Sequence, residues 1–139
     1  MSATFGLAEP LSDTEIIADL KHVRLDYEFV VSGGWWKAGD HEGSFRVVAI
    51  VDGWEHLRNR LFLQWIRDIP DEHDWHLAHT TAIPEINGKN WRISTPTFAL
   101  KGKQWEICIP AEHAFTQKKT VFVLTPSANF KYTITDRSK

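Results

Sequence analysis

Four short β-rich runs crowd the last third of the chain, each bounded by turn signals, and nothing between them is long enough to hold a crossover helix. Residues 91–100 and 104–109 are joined across Lys101-Gly102-Lys103, a hairpin signal. Residues 120–125 and 130–135 flank a turn over Pro126–Asn129. In the final run Phe130, Tyr132 and Ile134 alternate with Lys131, Thr133 and Thr135, so one face of that strand is wet. Parallel strands need connections of a dozen or more residues, so consecutive hairpins require antiparallel sheet.

Upstream, Ser12 followed by Glu15 is a capping box, with Leu11 and Ile16 placed as a hydrophobic staple. Ile16, Ile17, Leu20 and Val23 continue as an apolar stripe, predicting a short helix over about residues 13–23. Residues 25–32 alternate apolar and polar as a half-buried strand does. Residues 44–52 are apolar on both faces from Val47 to Val51, the mark of a central strand, and 37–43 form the loop between the two. Asp52 and Glu55 then cap a second, longer helix in which Trp54, Leu57, Leu61, Phe62, Trp65 and Ile69 share half a helical wheel, with Pro70 as its stop. Residues 71–83 fit loop, strand or helix equally.

The expected fold is therefore α+β. A mainly antiparallel curved sheet or partly open barrel packs on one long helix, in the order α-β-β-α-(β)-β-β-β-β, as one domain over 1–139 with 1–10 a flexible N-terminal segment. A chain of 139 residues buries enough surface to fold without disulfide or metal. Cys108, the one cysteine, sits in an apolar run and reads as a small hydrophobe in a reducing compartment. A net charge of −2 without a basic stripe argues against nucleic acid, and no run approaches the ~20 apolar residues of a membrane span. A cytoplasmic location is the expectation.

Three features point toward function. Seven tryptophans are a heavy load. Adjacent strand residues face opposite ways, so Trp35 and Trp36 cannot both enter a one-sided core, and the outward ring needs a ligand or a second subunit. Arg58, inside the apolar arc of the expected helix, either snorkels to water or awaits an acid, internal or carried by a ligand. His73, His76 and His79, with Asp71 and Asp74, offer the nitrogen and oxygen ligands that Zn²⁺ or Fe²⁺ prefer. On a strand, however, His76 and His79 would part to opposite faces. Asp40-His41-Glu42 forms a smaller cluster of the same kind.

No phosphate loop, nucleophile elbow, Cys-x-x-Cys pair or dinucleotide fingerprint is present. The leading expectation is a non-catalytic binding protein. Its site is an aromatic-lined pocket or homodimer interface built on Trp35, Trp36, Trp75 and Arg58, taking a small aromatic or anionic ligand and needing no cofactor. The first alternative is a metal-assisted or acid–base enzyme at the histidine cluster, with a divalent metal. The second is a protein inhibitor that presents acidic loops to a cationic target.

Overall fold

In the computed structural model, which describes residues 11–137, one short helix precedes nine strands. Helix α1 spans Asp13–Leu20, and the strands are β1 (Tyr27–Ala38), β2 (His41–Asp52), β3 (Arg58–Ile69), β4 (Asp74–Ala82), β5 (Trp91–Ile93), β6 (Thr97–Lys101), β7 (Gln104–His113), β8 (Lys119–Pro126) and β9 (Tyr132–Asp136). They make two antiparallel sheets, one in the order β1-β2-β3-β4 and the other β5-β7-β8-β9 with β6 also paired to β7. The second sheet carries the expected hairpins at Lys101-Gly102-Lys103 and after Pro126. The sheets do not close into a barrel, and the segment 1–10, expected to be flexible, lies outside the described residues. Among the described residues no helix is long and apolar enough to cross a membrane.

The long second helix is not there. Residues 58–69 are β3, paired along its length with β2 and from Phe62 onward with β4. Asp52 does accept from a backbone N–H, but from that of Gly53 at 3.0 Å, and Gly53 has φ +89°, so the cap closes a turn and starts no helix. The apolar run of this segment satisfies both periods. Read at period two, Leu61, Leu63 and Trp65 enter the core while Arg60, Phe62, Gln64 and Ile66 face away. Ladder pairing with two neighbours outweighs the local helical pattern. Trp54, expected on the buried helix face, is 96% exposed, whereas Trp65 is fully buried as expected. Arg58 accordingly starts a strand. The ambiguous stretch after Pro70 resolves into a 3₁₀ turn, Pro70–Glu72, and β4. The expected strand over 91–100 divides into β5 and β6, and the capping box of α1 forms as read.

The core lies between the sheets, where Phe45, Val47, Ala49, Leu61, Leu63 and Trp65 meet Ile93, Ile107, Ile109, Phe122 and Leu124. Each such side chain contributes roughly 1.5–3 kcal/mol when fully buried. One polar side chain crosses this interior. Asn59, on β3, donates to the Ile50 carbonyl at 3.1 Å and to the Glu28 carboxylate at 2.6 Å, and accepts from the Ile93 N–H of the opposite sheet at 2.6 Å. A second link between layers runs from the Tyr132 hydroxyl on β9 to Glu85 in the β4–β5 loop, at 2.6 Å.

Asn59→Leu would leave the buried Ile93 N–H without its acceptor and the Ile50 carbonyl without its side-chain donor. It is expected to lower stability by about 3 kcal/mol, read as a reduced urea midpoint with unchanged m-value; a midpoint equal to that of the parent refutes this role. For Tyr132, burial and the bond to Glu85 hold the phenol proton well above the ordinary tyrosine range. A folded-state pKa raised above the unfolded value of about 10 means the stabilisation is complete below that pH and is lost above it. The stability difference between the parent and Tyr132→Phe should therefore be constant through neutral pH and shrink above about pH 10. A difference that grows with alkalinity would contradict the assignment.

Candidate functional site

Close approach of the two sheets builds a hollow with aromatic walls. At Gly33 a Cβ would lie 2.6 Å from the Phe98 ring, and at Gly34 (φ +66°) 3.1 Å from the rings of Phe45 and Trp105. Only glycine lets β1 pass so near β6 and β7. The register of β1 against β2 shifts between Gly33 and Trp36, a bulge that redirects the two tryptophans.

Trp36 turns inward. It is 5% exposed, and its indole N–H donates to the Ser44 carbonyl at 3.1 Å. Trp35 turns outward, 60% exposed, and stands edge-on to Trp105 with ring centroids 4.6 Å apart. Between them opens a hollow of about 360 Å³, lined by Trp35, Trp36, Phe45, Trp105, Lys37 and Lys103, and on its far side by Pro126, Ser127 and Ala128.

That far side is held from below. The Trp65 N–H donates to the Ser127 carbonyl at 2.8 Å, and Ser127 N–H to the Lys131 carbonyl at 2.8 Å. Phe130, in the left-handed region at φ +67°, packs against Trp36, Trp65 and His79. The hollow thus has aromatic walls, a fixed floor and two ammonium groups. Trp105 also carries a buried indole N–H for which no acceptor is found among the described residues.

The other sequence candidates lie elsewhere. Trp75, on β4, is exposed and lines a separate hollow with Asp68, Ile69, Pro70, His73 and Asp74. Arg58 lines a third, small one with Glu28, Leu57 and Arg92, and among the described residues no carboxylate lies within ion-pair distance of it. Of the four residues expected to share a site, only Trp35 and Trp36 do.

The three histidines of the cluster take different partners, although the shift in the β3–β4 register sets His76 and His79 opposite Arg67 and Trp65, on one face of β4. His73 ends the 3₁₀ turn at φ +49°. His79, beyond an irregularity in the β3–β4 register, stacks on Phe130 with centroids 5.0 Å apart. His76 alone stays with carboxylates, 3.7 Å from both Glu72 and Asp74. These three groups bring their ligand atoms within 4.8 Å of one another, all of them exposed. Asp71 is not among them, and neither is any residue of Asp40-His41-Glu42, which occupies the β1–β2 turn.

Trp105, Lys37 and Lys103 are the lining residues that sequence reasoning missed. Trp105 lies 70 positions from Trp35, and only the packing of one sheet on the other joins them. The lysines carried no signal beyond their place beside a turn. Comparison of the chain with protein-family models, with curated proteins and with solved structures gives no match.

Proposed function

We propose that the chain is a non-catalytic binding protein whose site is the tryptophan hollow, and that its ligand is a small aromatic molecule bearing an anionic group. The observation that carries this reading is the state of Trp35, a large indole left 60% exposed at the mouth of a hollow and braced by Trp105. An aromatic guest entering there gains ring contacts and removes apolar surface from water. Lys37 and Lys103 supply the charge for its anionic end. No histidine, cysteine or carboxylate is among the residues lining the hollow to activate Ser127 or either lysine, so binding is the chemistry they support best. The acid–base alternative has less behind it: of His73, His76, His79, Asp71 and Asp74, only His76 and Asp74 share a cluster, with Glu72, and all three are exposed.

Titration with naphthalene-2-sulfonate, followed by tryptophan fluorescence, tests the reading. Saturable quenching is expected, and Trp35→Ala should weaken binding about tenfold, the loss of one good aromatic contact. Replacing Lys37 and Lys103 together by Ala should weaken the sulfonate but not its neutral counterpart 2-naphthol. Quenching that never saturates, or an affinity indifferent to Trp35→Ala, would remove the hollow as the site.

A further inference from the structure

A helix with an apolar stripe and a sheet face with an apolar groove are both left uncovered in this chain. The helix ends at Leu20, short of the expected residue 23; no residue of it is buried, Ile16, Ile17 and Leu20 stand exposed on it, and Val23 is exposed in the turn that follows. Amphipathic helices owe their stability to packing, and eight residues are too few to hold a helix in water alone.

The groove lies on the outer face of the first sheet, about 390 Å³ in volume. Val30 and Phe62 line it together with Val48 and Ile50, which are already buried, and Arg24, Tyr27, Arg46 and Arg60 are among its other lining residues. The Arg46 Nε is spent on Gln64 at 2.7 Å, Arg24 pairs with Asp26, and Arg60 has Asp52 at 3.8 Å and the charge of Asp26 nearby, so three arginines face two carboxylates there. The helix carries the opposite sign. Asp13, Glu15 and Asp19 are its only charged residues, with no basic side chain in the last turn.

We infer that α1 covers this groove on a second copy of the chain, making a two-fold homodimer by reciprocal exchange of the helix. This goes beyond the ligand hollow, which lies on other residues. Within one chain the groove stays open: Arg24 and Tyr27, from the connection after the helix, line its edge, but no residue of α1 does. Turn bonds run on from the helix through His22 and Val23, and Arg24 pairs with Asp26 at 2.5 Å just before β1 begins. Each copy offers one helix and one groove, the self-complementary arrangement that a closed two-fold requires. Doubling the contact in this way is also what so short a helix needs to approach the ~1,200 Å² of a stable interface.

Sedimentation equilibrium of the full chain at micromolar concentration tests the inference, and the expected mass is twice 16.0 kDa. Leu20→Asp should weaken the dimer at least about a hundredfold, because symmetry counts each substitution twice. Its near-ultraviolet circular dichroism should match that of the parent, since Leu20 is exposed within its own chain. Arg46→Glu combined with Arg60→Glu should also give monomers, and adding Glu15→Lys and Asp19→Lys to that variant should restore the dimer. A parent chain that stays monomeric at the highest concentration reached overturns the proposal. So does a dimer that tolerates both Leu20→Asp and the double arginine variant, which would assign the contact to another face.

Discussion

Backbone groups released where one strand parts from another must be paired again inside the protein, and this fold turns on how β3 meets that demand. β4 accompanies β3 only as far as the pairing of Phe62 with Ala82. At the next residue the Asn87 side chain takes over, accepting from the Leu61 N–H at 2.7 Å and donating to the Leu61 carbonyl at 3.1 Å, with Ile83 N–H donating to that same oxygen. Two residues further, Asn59 reaches across the interior to Ile93. The two amides stand in for a missing strand and connect one sheet to the other. Ile83 and Ile86, fully buried in the loop they anchor, then complete the apolar layer over Leu61. Polar groups placed in this way specify one arrangement, because a slip of register would leave them unpaired at high cost.

The second constraint is how near the sheets approach at their aromatic end. Two side-chain-free residues on β1 let Phe98 and Trp105 press against its backbone, and the bulge there sends one tryptophan into the core and leaves the next outside. Phe45, Trp65, Phe130 and His79 support the inward ring in edge-on and stacked contacts. The hollow therefore follows from packing. Its floor consists of rings the core already needs, and its mouth is the one ring the core cannot take.

Legibility was uneven, for physical reasons. Local signals read well: the capping box of α1, the hairpin at Gly102, the central character of residues 47–51 and the alternation of Tyr132–Ile134 all rest on neighbours within a few positions. The segment 58–69 did not. Two apolar runs, Leu61-Phe62-Leu63 and Trp65-Ile66, place hydrophobes at both helical and strand spacings, and only the partners on either side choose between them. With that choice reversed, Arg60 and Gln64 join Arg46 on one sheet face, a grouping a helical reading disperses. The histidines were not legible: a spacing of three predicts opposite faces on a regular strand, but the bulge in β4 returns His76 and His79 to one face, and no local signal announces that bulge.

The sequence by itself determined that the second half is hairpin-linked antiparallel sheet, that a short capped helix stands near the start, and that adjacent tryptophans after a glycine pair must part company. Turn chemistry, capping and alternation act over a few residues, so they are written locally. Tertiary structure alone decided that the longest apolar segment is a strand, that Trp105 and two lysines join Trp35 and Trp36 while Trp75 and Arg58 do not, and that no residue of the helix is buried in its own chain. Each of these depends on which distant surfaces meet, and burial between sheets is a property of the assembled layers that no single stretch carries.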